Sequence, residues 1–176
     1  MLISAKASNR MTVLVGRSLL EAINTKRVVE GFLDPDSQVG QNGVDLSLRN
    51  VYLYGSDGSL GEGDERVIAY SRPLKPLDGW FSLKKGSYKI DFNEVVRVPK
   101  DMIALTFPRS TLIRNGVSVE GAVWDSGFYG RGEALMVVHN SKGFRVKKGA
   151  RIVQMVLFRC SEEVPFGYSG RFQGLI

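Results

Sequence analysis

Apolar and polar residues alternate along most of this chain beyond residue 40. Val44, Leu46 and Leu48 alternate with polar residues, and similar short runs recur as far as residue 159. A period of two predicts strands with one buried face and one polar face. Many short strands separated by turns are typical of an all-β sandwich or barrel. The pattern predicts strands at 44–54, 80–83, 87–92, 94–98, 102–107, 118–124, 134–139 and 150–159, and a surface loop at 55–65.

One segment, residues 14–29, follows a helical period instead. Leu19 and Ile23 recur at helical spacing, and Ser18 with Glu21 three residues later has the form of a capping box. We predict one short helix here, ending near residues 24–26. It is the single helix that the sequence predicts.

The two ends of the chain carry weaker patterns. Residues 1–12 are polar and unpatterned, so we interpret them as a loose lead-in, with Met11 as an alternative start. The tail, 165–176, mixes glycines with aromatic and polar residues and is too short to bury itself. It is either a frayed end or a flap that orders over a ligand. Nothing between these ends indicates a domain boundary, so residues 1–176 are predicted to form one domain.

Composition excludes several classes of protein. The chain has 176 residues and a formal net charge of +6, which favours anionic partners such as nucleotides. No block of like charges indicates a nucleic-acid arm, and no apolar run is long enough for a membrane span. With one histidine, His139, and one cysteine, Cys160, the His/Cys/Cys site of a zinc deaminase cannot be built. We predict a cytoplasmic protein that partners neither nucleic acid nor membrane.

The candidate chemistry is concentrated between residues 108 and 140. Arg109 and Ser110 follow an apolar strand, and Asp125 lies in a glycine-rich turn. An arginine fork and a hydroxyl are suited to phosphate oxygens, and a lone carboxylate can position a water molecule. These residues predict a ligand that carries phosphate.

Five segments occur in an order and spacing that is specific as a set. They read GQNGVDLSLRN, PRSTL, VWDSGFYG, RIVQMVLF and YSGRFQG. Together they resemble the superfamily of trimeric dUTP pyrophosphatases and dCTP deaminases. The resemblance implies a distorted, jelly-roll-like β-barrel and a homotrimer with active sites between subunits. It also implies Mg²⁺ that is held mainly by the substrate triphosphate.

The resemblance assigns the catalytic and nucleoside-binding roles. Asp125 matches the aspartate that positions or deprotonates the attacking water, although Asp-Ser-Gly is also an ordinary turn. Phe128 matches the aromatic under the deoxyribose, with a core aromatic as the alternative. Gly121 and Ala122 lie on the strand that reads the base through its backbone. Tyr168 matches a tail tyrosine that folds over the base.

Phosphate roles follow in the same way. Arg109, Ser110 and Thr111 belong to the phosphate motif, and Gln154 lies on a neighbouring strand with a phosphate or a backbone group as its partner. Asp45 matches an aspartate that orders the hairpin and the metal-bound water, with a purely structural role as the alternative.

The tail adds two further candidates for phosphate binding. Arg171 stands where the family has a lysine, and Gln173 is retained. Leu175 replaces an expected polar donor. The hairpin after Asp125 is also about two residues longer than is usual in the family, at Tyr129-Gly130-Arg131-Gly132.

One position favours hydrolysis over deamination. The deaminases use a glutamate three residues before Asn140, and here that residue is Val137, which cannot transfer a proton. Glu133 fits the pyrophosphatase pattern. Arg114 matches an arginine near the catalytic water of the deaminases, and Glu120 is the carboxylate near the base-reading segment.

We therefore predict a dUTP diphosphatase that releases dUMP and pyrophosphate. The alternative is a dCTP deaminase or a bifunctional deaminase and diphosphatase, so dCTP and dTTP remain candidate ligands beside dUTP. A nucleotide sensor without enzymatic activity is a third class.

Overall fold

The computed structural model describes residues 11–63 and 65–176, so most of the predicted lead-in lies outside the described residues. Within them the chain is mostly β, with three short helices. The elements are β1 (Thr12–Val13), α1 (Gly16–Lys26), β2 (Val29–Glu30), α2 (Pro35–Gln38), β3 (Val44–Tyr54), β4 (Ser59–Leu60), β5 (Arg66–Val67), β6 (Ser71–Pro73), β7 (Trp80–Leu83), β8 (Gly86–Phe92), β9 (Val95–Arg97), β10 (Met102–Pro108), α3 (Ser110–Arg114), β11 (Val117–Glu120), β12 (Tyr129–Gly130), β13 (Glu133–Val138), β14 (Phe144–Lys147) and β15 (Arg151–Arg159).

An antiparallel sheet of eight strands forms the body of the fold. Its order is β1-β15-β3-β8-β13-β11, with β10 added on β15 and β6 on β3. The sheet curls, and two backbone hydrogen bonds between Ala104 in β10 and Trp124, beyond the end of β11, join its two ends. The predicted distorted β-barrel is therefore confirmed.

The core is filled by the inward faces of the long strands. β15 alternates buried and half-buried residues over most of its length, whereas the first half of β3 is buried on both faces. A register shift between Leu48 and Asn50 interrupts the pairing of β3 with β8. Such a bulge re-aims the side chain at its centre, which here is Arg49.

The predicted N-terminal helix is confirmed, and it ends at Lys26 as expected. Its start differs in detail, because Val15 rather than Ser18 is the N-cap. Ser18 lies in the first turn, where its hydroxyl accepts a hydrogen bond from the Val15 amide at 3.0 Å and donates one to the Val15 carbonyl at 2.8 Å. The predicted capping box of Ser18 with Glu21 is therefore wrong, because the pair that forms lies three residues earlier, at Val15 and Ser18.

Several short elements were not predicted. α2 and α3 have only four and five residues, too few for a helical period to register. The predicted surface loop contains half of a small hairpin, β4–β5, and β11 ends at Glu120 rather than at residue 124. β14 pairs with β7 in a separate two-stranded sheet. None of the helices in the described ranges is long and apolar enough to cross a membrane.

Candidate active site

Most of the predicted site residues fall into two groups in the folded chain. The first lines a cavity of about 500 Å³, which we call the aromatic cavity. Its lining includes Arg49, Asp91, Thr106, Gly121, Ala122, Trp124, Asp125, Phe128, Arg131, Gly132, Glu133, Tyr168, Phe172, Leu175 and Ile176. The second group lies around Asp45 of β3, close to the residues that follow β10.

Aromatic side chains build the wall of the cavity. Trp124 packs against Phe92 with ring centroids 6.4 Å apart and against Phe128 at 5.4 Å, edge to face. Phe128 in turn meets Tyr168 of the tail at 5.6 Å. Gly132 lies directly under the Trp124 indole, where a Cβ atom would overlap the ring. The hairpin therefore needs glycine at position 132 to close on this wall.

Asp125 lies at the exposed rim of this cavity. The backbone of its neighbour Trp124 forms two hydrogen bonds with Ala104, at 2.9 and 3.1 Å. These bonds fix the start of the turn that carries Asp125. The Asp125 backbone carbonyl accepts the Phe128 amide at 3.0 Å. Its carboxylate has no hydrogen bond or ion pair with any residue that the structure describes, so both oxygens are available to a water molecule or a ligand.

The other carboxylates of the cavity are engaged. The Asp91 carboxylate accepts hydrogen bonds from the backbone N–H of Asn50 at 2.8 Å and from the Tyr52 hydroxyl at 2.9 Å. Glu133 pairs with Lys89 at 2.6 Å. Burial, followed by the hydrogen bond to Asp91, raises the pKa of Tyr52 and keeps its proton in place. Asp125 is thus the carboxylate of this cavity that has no partner among the described residues.

The second group is an arginine cluster, which we define as Asp45, Arg109 and Arg151. Asp45 is 7% exposed and forms ion pairs with both guanidinium groups. Arg151 also donates to the carbonyl of Ser37. Burial, and then the charge of Arg151, lower the pKa of Arg109. One carboxylate between two arginines leaves a net positive charge that suits an anion.

A buried network holds Asp45 from behind. The Gln38 amide donates to the Asp45 carbonyl at 2.9 Å and to the Glu94 carboxylate at 2.6 Å. Glu94 is fully buried and also accepts hydrogen bonds from the Ser47 amide at 2.8 Å and the Ser47 hydroxyl at 2.7 Å. The backbone beneath the cluster is therefore well ordered before any ligand binds.

The arginine cluster opens into a second, basic cavity of about 440 Å³. Arg109, Thr111, Arg145, Lys147 and Arg151 are among its lining residues, and no described carboxylate lines it. No described residue lines both cavities. Thr106 in the aromatic cavity lies only three residues before Arg109, a distance of roughly 10 Å along an extended strand.

The remaining predicted residues are distributed around these regions. Ser110 and Thr111 begin α3, directly after Arg109. Gln154 lies opposite Asp45 and Phe107 in the sheet, beside the arginine cluster.

The residues that concern deamination lie elsewhere. Val137 is half-buried on β13, opposite Ser118 and Ser87. Glu120 lies opposite Leu135 at the exposed end of β11, and Arg114 ends α3 on the surface. Neither of these two charged residues lines the aromatic cavity or the basic cavity.

The tail folds back on the hairpin that follows Asp125. The Gln173 side chain accepts from the Tyr129 amide and donates to the Gly127 carbonyl, both at 3.0 Å. The Leu175 carbonyl accepts from the Arg131 amide at 2.6 Å. In this arrangement the Gln173 amide satisfies the hairpin backbone, and its role in phosphate binding stays a prediction. Arg171 is exposed.

Sequence reasoning missed Arg49, Asp91 and Arg131 as lining residues and Arg151 as a partner of Asp45. Arg151 is the first residue of the segment RIVQMVLF, and that segment is the signal by which it could have been found. Arg49 depends on a bulge and Asp91 on its partners from β3, and neither leaves a local pattern in the sequence.

Comparisons with known proteins identify the family of this chain. The sequence model of the dCTP deaminase-like family matches residues 13–160. The chain belongs to this family, and the resemblance read from its five segments is confirmed.

Among its relatives is the probable deoxyuridine 5'-triphosphate nucleotidohydrolase of Methanosarcina barkeri, which is 41% identical over 166 residues, 93% of this chain and 97% of the relative. The Archaeoglobus fulgidus protein of the same description is 38% identical over 93% of this chain and 97% of its own length. The solved 2'-deoxycytidine 5'-triphosphate deaminase of Agrobacterium tumefaciens shares the fold, with a TM-score of 0.66 at 17% identity over 85% of this chain. This chain covers 48% of that structure's length.

Proposed function

We propose that this protein hydrolyses dUTP to dUMP and pyrophosphate. The observation that carries the proposal is Asp125, an unpaired carboxylate at the rim of an aromatic cavity. The relatives described as deoxyuridine triphosphate nucleotidohydrolases support the choice of substrate, since they match nearly the whole chain.

The reaction needs a water molecule aligned with the α-phosphorus on the side opposite the leaving pyrophosphate. Asp125 accepts a hydrogen bond from that water and takes its proton as the new P–O bond forms. Phe128 and Tyr168 enclose the sugar and the base, and an aromatic ring against the sugar leaves no room for a 2'-hydroxyl. Arg109 and Ser110 hold phosphate oxygens and stabilise the charge that develops on them.

The two regions act on one nucleotide only if they are brought together. We propose that they meet across a subunit interface in a homotrimer, so that Asp125 of one subunit faces the arginine cluster of another. Two features support this arrangement: the cavities share no lining residue, and each carries only half of the chemistry.

Magnesium fits this site as a companion of the substrate rather than as a resident ion. No group of three or more His, Cys, Asp and Glu side chains among the described residues is arranged to hold a metal. Asp45 is already paired with two arginines and Asp125 is a single carboxylate, so either one would meet the ion through water. When bound to the triphosphate, Mg²⁺ neutralises charge on the phosphate oxygens.

Deamination of dCTP is less well supported. It needs a carboxylate beside the base, but Val137 takes the expected position and Glu133 is held by Lys89. The cytoplasmic location and the role of dTTP stay predictions.

One assay separates the candidates. The protein is incubated with dUTP or dCTP and Mg²⁺, and both pyrophosphate release and the identity of the base are followed. We expect pyrophosphate and dUMP from dUTP, and no uracil product from dCTP. A uracil product from dCTP would contradict the diphosphatase-only reading, and tight dUTP binding without turnover would point to a nucleotide sensor.

A further inference from the structure

Arg131 has an unusual environment. In the part of the chain that the structure describes, three buried side-chain atoms lack a hydrogen-bond partner, and two of them are Nε and Nη1 of Arg131. The third belongs to Glu30. A buried donor without a partner costs about 1–3 kcal/mol, and more when it is charged. An unpaired buried donor in a folded protein calls for an explanation, and a ligand that supplies the missing acceptor when it binds is one.

The setting of Arg131 favours a ligand over chance. It lies in the lengthened part of the hairpin, and it lines the aromatic cavity together with Asp125. Its backbone is fixed from both sides, because its amide donates to Leu175 and the next residue, Gly132, is packed under Trp124. Arg49 lines the same cavity, but none of its nitrogens is both buried and unpaired.

The cavity indicates which part of a nucleotide Arg131 meets. The three described carboxylates that line this space, Asp91, Asp125 and Glu133, outnumber its two arginines, Arg49 and Arg131, which disfavours a triphosphate here. The aromatic wall is suited to a planar ring, and the basic cavity around Arg109 is suited to the phosphates. Of the neutral acceptors that the nucleotide offers on its sugar and its base, those of the base lie in the planar ring to which the aromatic wall is suited.

We propose that Arg131 reads the base, its guanidinium donating to the carbonyl edge that uracil has and cytosine lacks. Cytosine presents an amino group at that edge, so donor would face donor. Arg131 is therefore a specificity-determining residue that favours uracil, an inference that rests on the proposed hydrolysis of dUTP. It gives the extra hairpin residues a role that the catalytic step does not require.

The test compares Arg131→Met with Arg97→Met. Arg97 is exposed, and its guanidinium lies 4.3 Å from the ring centroid of Tyr129 on the same hairpin, but it does not line the cavity. Dissociation constants for dUMP and dCMP are measured for both variants and the wild type. Because the two ligands carry the same phosphate, a change in their ratio reports on the base alone.

We expect Arg131→Met to weaken dUMP binding about 10- to 100-fold, the loss of a charged hydrogen bond, and to leave dCMP binding nearly unchanged. The dUMP preference should collapse, while Arg97→Met keeps it. The ligand-free melting temperature of Arg131→Met should be equal to or above that of the wild type, since the removed atoms have no partner. A purely structural arginine would lower it.

An unchanged ratio of dUMP to dCMP affinity would overturn the inference. Combined with an equal loss for both ligands it would indicate a phosphate contact, and combined with a lowered melting temperature it would indicate a structural role. The proposed function fails separately, since it is contradicted when the wild type releases no pyrophosphate from dUTP.

Discussion

The aromatic cavity and the arginine cluster differ in whether their charged groups are paired within the chain. In the cluster every charge is engaged before a ligand arrives, because Asp45 bridges two arginines and Gln38 and Glu94 hold its backbone. In the cavity, Asp125 has no partner among the described residues. Groups that hold phosphate gain from being positioned in advance, whereas a group that takes a proton must keep its oxygens available.

The supporting structure differs in the same way. The cluster lies where β10, β15 and β3 pair, beside a register shift between Arg151 and Val153, so its geometry is set by the sheet. The cavity is walled by a turn, a hairpin and the tail, which meet through aromatic rings and through hydrogen bonds between the tail and the hairpin. Rigid strands suit charge alignment, and the irregular segments supply a concave shape for a planar ligand.

The largest effect is expected for Asp125→Asn. The amide cannot accept the proton of the attacking water, so turnover of dUTP should fall by roughly 10²- to 10⁴-fold. Affinity for dUMP and the melting temperature should change little, because Asp125 is exposed and unpaired. Asp57→Asn, an exposed aspartate remote from both cavities, is the matched control. Wild-type turnover in Asp125→Asn would remove this residue from the mechanism.

Mixing experiments test whether the two regions serve one site from different subunits. Arg109→Ala and Asp125→Asn should each be nearly inactive alone. Co-expressed in equal amounts, they should recover about a quarter of wild-type activity, since that fraction of shared sites receives both intact residues in a closed ring. Each variant chain lacks one of the two residues, so no recovery would mean that the site is built within a single subunit.

Asp45→Asn tests the electrostatics of the cluster. It leaves two arginines without their carboxylate and should lower the free energy of unfolding by about 1–3 kcal/mol, less than for a fully buried pair. The side chains of Arg109 and Arg151 are 32% and 38% exposed to solvent, which moderates the loss of stability.

Added pyrophosphate should raise the melting temperature of Asp45→Asn more than that of the wild type, because it supplies the missing negative charge. Asp101→Asn is the control, since Asp101 also pairs with two cations, Lys26 and Arg159, but at a more exposed place. An equal response to pyrophosphate in both variants would argue against an anion site at the cluster.

The smallest effect concerns Tyr52, which anchors Asp91 at the edge of the cavity. Its pKa is raised in the folded protein by burial and by Asp91. Its contribution to stability is therefore complete below the unfolded value of about 10 and is lost as pH rises through the folded value. Tyr52→Phe should flatten the alkaline branch of the unfolding curve, followed by denaturant titration, and Tyr54→Phe on the same strand should leave it unchanged.

Much of this architecture could be predicted from the sequence, and the misses have a common cause. The long strands and the first helix are visible because apolar spacing is a local property. The helix α3 was missed because five residues cannot display a period. The contact of Gln173 with Tyr129 and Gly127 was missed because it joins distant segments.

The sequence by itself determined the fold class, the family, and the identity of Asp125, Arg109 and Ser110 as candidates, since each is carried by a contiguous motif. Only the tertiary structure decided which charges pair and which stay unpaired. Asp45 meets Arg151 across 106 positions of the chain, and two side-chain nitrogens of Arg131 are buried without a partner among the described residues. Such pairings depend on where the barrel brings distant residues, and no spacing along the chain encodes them.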